Sequence, residues 1–253
     1  MQKKKLFFGL KQLFFMDESQ KWFQVYITVL EMLSDRGYDV RQQMDEAEPY
    51  KEDLENVNEI FETFDFQPDR AGIEENLHEV IYATEPLDPE HPQANLDPLK
   101  VYFVTSKSSL NKDFIKKLFE RMKAPESAVT HAIIVYSGKM GLTQLQQRYI
   151  EKLRKNRENY KLIEFFTQQQ LIVNITRHNV VPRHKIMSPQ EADEVYDHYH
   201  IKPSQLPMIF NTDPVARYLC AQPGQLVRIE RVNHTSGRYV TYRYCVEGHS
   251  DKK

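Results

Sequence analysis

The side chains with the widest chemical repertoire in this chain are its nine histidines and its two cysteines, Cys220 and Cys245. A structural or catalytic zinc needs convergent nitrogen and sulfur ligands at close, recurring spacing, and neither cysteine has such a neighbour. His198 and His200 stand two apart on a predicted helix, so they point to different faces. No metal site is expected. The eight glycines form no phosphate loop, no dinucleotide turn and no nucleophile elbow, so no cofactor and no small-molecule substrate is expected either. A metal-dependent nuclease needs clustered carboxylates with a lysine at a strand end. The predicted strand from Lys100 closes on Thr105-Ser106-Lys107 with no Asp or Glu two residues before that lysine. The sequence therefore holds no catalytic constellation.

Charge offers a different chemistry. The formal net charge is -2, but residues 45 to 97 carry 17 acidic and 2 basic groups while residues 98 to 176 carry 14 basic and 6 acidic. A basic middle beside an acidic block leaves one face able to approach a polyanion. The predicted helix with Arg148, Lys152, Arg154, Lys155 and Arg157 could meet phosphates, releasing condensed counterions. A solvated helix face is an equal reading, because Glu151 and Glu158 interleave with the bases. Two cysteines make no disulfide framework, which fits a reducing compartment. No run approaches the roughly 18 apolar residues of a membrane span, so no membrane partner is expected. Residues 1 to 15 carry four lysines and no acid. Met16 reads as the plainer initiator, and 1–15 as an extension rather than a targeting segment.

The elements that must position these groups follow from periodicity. Trp22, Val25, Tyr26, Val29, Leu30 and Leu33 recur at helical spacing, with Gly37 where a C-cap falls. Between Asp45 and Asp97 acids and prolines break the pattern, and the stretch reads as a solvated insertion with at most one acidic helix near Leu54 to Phe66. Strands are then predicted at Lys100–Thr105, Ala132–Tyr136 and Lys161–Phe165. They alternate with helices at Asp113–Met122 and Leu142–Lys155, the latter with Leu142, Leu145, Tyr149 and Leu153 inward. That alternation predicts an α/β N-terminal domain with a mostly parallel sheet.

A small α+β C-terminal domain follows. Ser188-Pro189-Gln190-Glu191 combines an N-cap, a first-turn proline and a capping-box glutamate, and Asp213-Pro214 repeats the cap-then-proline logic. Leu226–Val232 and Tyr239–Val246 read as a β-hairpin around Asn233–Gly237. Along its second strand Tyr242 and Tyr244 should face one side and Tyr239, Thr241 and Arg243 the other. The domains expected are 16–175, with an acidic insertion at 45–97, and 176–247, followed by a tail at 248–253.

Several strings in the second domain carry a resemblance. His178-Asn179-Val180-Val181-Pro182-Arg183-His184 is similar to H-x-L-V-P-x-H, and Gln205-Leu206-Pro207-Met208-Ile209 to Q-L-P-x-I. Asp213 to Tyr218 reads D-P-V-A-R-Y, and Ser236 to Arg243 resembles A-G-R-Y-I-T-Y-R. In this order the strings resemble the fifth shared subunit of eukaryotic nuclear DNA-directed RNA polymerases and its archaeal counterpart. Upstream, Asp35-Arg36-Gly37-Tyr38 matches that family's D-R-G-Y.

The resemblance implies a non-catalytic subunit with two parts. The C-terminal domain would dock on the largest polymerase subunit, and the N-terminal domain would form a jaw beside downstream double-stranded DNA, met by weak sequence-independent contact. Carried over residue by residue, the docking set is His178, Pro182, His184, Asp213, Pro214, Arg217, Tyr218, Arg238, Tyr239, Tyr242 and Arg243. Tyr and Arg on an exposed hairpin edge suit an interface core, although the tyrosines could instead cover the domain's own small core. The DNA-proximal set is Lys139, Thr143, Arg148, Lys152 and Lys155. The family's T-P-S-A turn near DNA is replaced by Met140-Gly141-Leu142-Thr143-Gln144, which removes the proline and, on this reading, its cap. Such drift suggests a diverged copy serving one nuclear polymerase, with a nucleolar location if that is the ribosomal enzyme. A free regulatory adaptor with the same fold and a nuclease-like DNA-processing protein are the alternatives.

Overall fold

The computed structural model describes residues 16–50, 77–83, 98–104, 115–116, 131–137, 143–155, 162–233 and 237–248; for 77–83, 151–155 and Asn233 only the backbone path is described. Contacts divide the chain into two units. The first comprises Met1–Glu31, Asp39–Glu85 and Leu96–Val173, and the second Met32–Tyr38, Pro86–Asn95 and Asn174–Lys253.

Helix α1 (Glu18–Asp35) starts where Asp17 accepts from the Gln20 amide at 2.7 Å and the Gln20 side chain accepts from the Asp17 amide at 3.2 Å, a reciprocal cap for two orphan donors. It ends at Gly37, whose φ of 94° allows the Tyr38 amide to reach back to Leu33 O at 3.0 Å and the Gly37 amide to Ser34 O at 2.9 Å. A side chain at that φ would be strained, so glycine fixes the stop. Trp22, Phe23, Val25, Tyr26, Val29 and Leu30 are buried, each worth about 1.5–3 kcal/mol relative to exposure. Helix α2 (Arg41–Ala47) and a 3-10 turn at Glu48–Tyr50 follow.

The sheet of the first unit has the order β1 (Leu77–Ala83), β2 (Leu99–Val104), β3 (His131–Tyr136), β4 (Leu162–Thr167). β2, β3 and β4 are parallel and β1 is antiparallel to β2. This is the mostly parallel α/β sheet that the sequence predicts. All of β3 and nearly all of β2 are buried, as a sheet covered on both faces requires. Trp22 meets the Phe103 ring edge-on at 6.1 Å, while Tyr102, Ile134, Ile150 and Ile163 form a second cluster.

Three expectations need correction here. The stretch 45–97 is not wholly a solvated insertion, because Leu77, Val80, Ile81 and Tyr82 belong to an edge strand whose apolar run is masked in sequence by the surrounding acids. Helix α3 (Gln144–Lys155) begins two residues later than expected, and Leu145, expected inward, is 78% exposed. Among its described side chains the inward ones are Tyr149, as expected, and Ile150; Leu142 and the side chain of Leu153 lie outside the described residues. With Ile150 at the centre of the buried face, a residue five positions earlier lies about 140° around the helix. The cap also survives without its proline: the Thr143 hydroxyl accepts from the Gln146 amide at 3.4 Å, and Gln146 Oε1 accepts from the Thr143 amide at 2.8 Å. The predicted helix Asp113–Met122 lies outside the described residues except for Ile115 and Lys116, which are helical, with Ile115 buried. The short helix α4 (Gln168–Leu171), capped by Thr167, closes the unit.

The second unit holds a mixed sheet ordered β5 (Arg183–Ile186), β7 (Leu226–Asn233), β8 (Gly237–Val246), β6 (Met208–Phe210). β5 and β8 are antiparallel to β7, and β6 is parallel to β8. The hairpin β7–β8 is therefore central rather than an edge. Its flanking strands are too short, at four and three residues, for alternation to stand out in sequence. Helix α5 (Pro189–Tyr199) carries the predicted capping box on Ser188 and packs Ala192 and Val195 against Leu226, Met187 and Tyr242. Helix α6 (Pro214–Tyr218) lies with the other cluster, where Ala216 joins Ile186, Ile209, Val227, Ile229 and Cys245. His200 lies just beyond α5 as its left-handed C-cap, with φ 52°, while His198 is in the last turn and meets the Tyr199 ring edge-on at 4.8 Å.

Candidate docking face of the C-terminal unit

The expected docking residues fall into an inward and an outward set, and the inward set forms a hub. Asp213 caps α6 by accepting from the Val215 amide at 2.9 Å and the Ala216 amide at 3.3 Å. Pro214 follows at the first helical position, where its missing N–H is harmless. The exposed end of α6 is gripped by Arg36, which is 1% exposed. Its Nε donates to Tyr218 O at 2.8 Å and its Nη2 to Arg217 O at 3.0 Å. These are carbonyls a helix end leaves without an intrahelical donor.

Tyr218 is itself 3% exposed; its hydroxyl donates to Asp35 Oδ2 at 2.9 Å and accepts from Asn174 Nδ2 at 3.0 Å. Burial, and secondarily the Asp35 carboxylate, push the phenol well above its ordinary pKa. The D-R-G-Y and D-P-V-A-R-Y strings thus interlock. Arg217 contributes its backbone carbonyl and Tyr218 both its carbonyl and its ring to the interior, so the Tyr218 side chain is a fold-holding group.

His184 is also turned to internal service. Its Nδ1 lies 2.7 Å from Pro182 O, and burial holds its pKa below the usual histidine value. Tyr242 is half-buried against the α5 cluster, its ring 6.2 Å from that of Tyr199. Arg243 Nη1 donates to Met208 O at 3.1 Å and ties the hairpin to β6. Cys245 is fully buried, and burial raises its thiol pKa, so it is an inert core group. Within either unit, no three His, Cys, Asp or Glu side chains among the described residues converge as a metal site requires.

The outward set surrounds a groove. The loop after Asn174 is shaped by the His178 ring, whose Nδ1 accepts from the Val180 amide at 3.2 Å, and by the Val181 amide bonding His178 O at 2.9 Å. This turn holds Asn179 to Pro182 opposite the hairpin. A groove of about 610 Å³ runs between them, lined by Val180, Pro182, Arg183, Arg231, Val232 and Arg238 among others. Val180 is 82%, Val232 85% and Tyr239 56% exposed. Of the expected docking residues, Pro182, named through the resemblance, and Arg238 line this groove, and Tyr239 lies opposite Arg231 on the neighbouring strand; Val180, Arg183, Arg231 and Val232 were not among the expected residues. The signal for them was a hairpin tip bearing apolar side chains where a solvated turn needs none. Arg36 was legible only as part of a matched string.

In the first unit, Thr143 and Arg148 are exposed. Positions 148, 152 and 155 share one face of α3 by helical spacing; the side chains of Lys152 and Lys155, and all of Lys139, lie outside the described residues. Reasoning from sequence also missed His131, buried in β3 with its Nε2 2.7 Å from Glu164 Oε1 on β4.

Models of two known domains match this chain: the N-terminal domain of RNA polymerase Rpb5 over residues 16–122 and the C-terminal domain of RNA polymerase Rpb5 over residues 173–245. The chain belongs to the Rpb5 family. The N-terminal Rpb5 match runs through the acidic stretch 45–97. Similar proteins include the DNA-directed RNA polymerases I, II, and III subunit RPABC1 of Caenorhabditis briggsae, 33% identical over 230 residues, spanning 90% of this chain and 97% of that protein. The namesake of Caenorhabditis elegans is 31% identical over 233 residues, with the same shares. That of Dictyostelium discoideum is 31% identical over 232 residues, spanning 91% of this chain and all of the relative. As an Rpb5-family member the chain is a structural part of a polymerase, not an enzyme by itself.

Proposed function

We propose that the C-terminal unit anchors this chain to the largest subunit of a nuclear DNA-directed RNA polymerase, and that the N-terminal unit stands beside the downstream duplex. The observation that carries the docking reading is the outward half of the C-terminal unit. Val180, Val232 and Tyr239 are left largely in water, around a module of roughly seventy residues that is marginal by itself. Exposed apolar side chains interleaved with arginine are the composition of an interface core. Relatives named as subunits of polymerases I, II and III support a nuclear location. For the DNA reading, the support is the exposed Arg148 and the shared helical face of positions 148, 152 and 155.

Gentle purification of the tagged chain is expected to recover the two largest polymerase subunits in near-stoichiometric amount. A monomeric pool lacking them would overturn the docking reading. The altered stretch Met140–Gln144 favours a copy dedicated to one polymerase, so one species of largest subunit is expected in that purification. Recovery of several would assign the chain to all of them.

A further inference from the structure

The groove between the His178–Pro182 loop and the hairpin carries charge that the fold does not use. Its lining holds Arg183, Arg231 and Arg238 against one carboxylate, Glu230, and Arg228 already occupies that carboxylate at 2.8 Å. Among the described residues no side-chain hydrogen bond or ion pair engages those three guanidinium groups. Like charges gathered around one cleft repel one another and focus a positive field into it. Beside them Val180 and Val232 are 82% and 85% exposed. The backbone is also incompletely used: β5 pairs with β7 only from Val227 to Glu230, so β7 beyond Glu230 has no described strand partner on that side.

We infer that this groove receives an extended acidic segment of the docking partner, in which Asp or Glu is interspersed with aliphatic residues. The segment lies along β7 as an added strand. Its carboxylates meet Arg183, Arg231 and Arg238, and an aliphatic side chain lies between Val180 and Val232. The inference rests on the docking reading above and names the chemistry of what docks. Strand addition supplies main-chain hydrogen bonds; Val232 lies opposite Arg238 and Arg183 opposite Glu230, so these share one face and Arg231 takes the other, and carboxylates on both faces of the segment find a guanidinium fork that matches them in two-point geometry. A duplex phosphate backbone satisfies the arginines alone. It leaves both valines in water and has no use for a strand edge, so a polypeptide is favoured.

The test uses the full chain and two probes: peptides of about fifteen residues tiled across the largest subunit of the same polymerase, a length sufficient to add one strand, and random-sequence duplex DNA. Acidic-aliphatic peptides are expected to bind. Combined Arg183→Glu, Arg231→Glu and Arg238→Glu should weaken them at least about tenfold, as charge reversal at a close pair does. The triple Arg→Lys variant, which keeps charge but loses the fork, should fall between. Thermal unfolding checks that the variants are folded; if the Glu variant is not, the Lys variant and Val232→Asp carry the comparison. In cells, a folded charge-reversed chain that still recovers the largest subunit as wild type does leaves docking standing and overturns this groove assignment. A wild-type chain that never recovers the largest subunit overturns the docking reading itself. Duplex binding that the arginines control, with no peptide binding, overturns the inference in favour of nucleic acid.

Discussion

Two regions of the C-terminal unit carry family-like strings and put them to opposite uses. In the hub, Asp35, Arg36 and Tyr218 spend their polar groups on one another and on the carbonyls at the end of α6, and Asp213 accepts from the amides at its start. At the hairpin tip, Val232, Arg238 and Tyr239 are directed outward. A matched string therefore marks a residue as needed without saying whether the fold or a partner needs it. Burial and hydrogen-bond accounting make that distinction: a buried group with every partner internal serves stability, and an exposed apolar one serves something outside.

The comparison predicts that hub and tip substitutions separate cleanly between stability and association. Arg36→Ala leaves the buried Tyr218 carbonyl without its donor, while Arg217 O keeps the Cys220 amide at 3.1 Å, and should cost about 3 kcal/mol, the upper range for losing a charged hydrogen bond to a buried acceptor. A denaturant midpoint within error of wild type would remove the hub from the account. At the tip, Tyr239→Ala with Val232→Ser should weaken recovery of the polymerase by about 2 kcal/mol or more, as a hot-spot truncation does. The same pair should change unfolding by less than about 0.5 kcal/mol, as surface positions do; a large loss of stability would place the tip in the core.

Tyr218→Phe sharpens the hub half of the comparison. Loss of the hydroxyl should cost about 1–2 kcal/mol near neutral pH through unpaired partners. The folded-state pKa of this phenol is raised, so its contribution is complete below the unfolded value near 10 and is lost as pH rises beyond it. The wild-type alkaline decline should therefore be shallower in Tyr218→Phe. Ser188→Ala, measured by thermal unfolding, should cost about 1 kcal/mol through the lost cap. His184 gives the smallest effect. Its folded pKa lies below the ordinary value of 6.5, so its contribution is present above that value and is lost as pH falls below it. His184→Gln should flatten that part of the acid limb, and an unchanged acid limb would contradict it.

The fold was legible where one periodicity dominated. α1, the buried strands β2 to β4, the Ser188 and Asp213 caps and the hairpin all follow from apolar spacing or cap chemistry. It was illegible where two signals competed or the element was too short. β1 disappeared into its acids, β5 reads Arg-His-Lys-Ile with no alternation, and Leu145 followed a stripe that its helix does not bury. The site was legible as a region but not as a division of labour. Tyr218 looks the same in sequence whether its hydroxyl meets Asp35 or a partner, because the deciding residue is distant in the chain. The unused arginines of the groove likewise become visible only when Glu230 is seen to be occupied by Arg228.

The division between hub and tip is tested most directly by amide hydrogen exchange on the full chain, alone and within the purified polymerase. The account predicts new protection across residues 178–183 and 231–240 on assembly, with the amides of Val215 and Ala216 equally slow in both samples. Unchanged exchange at the loop and the hairpin, or protection appearing only around α6, would contradict it.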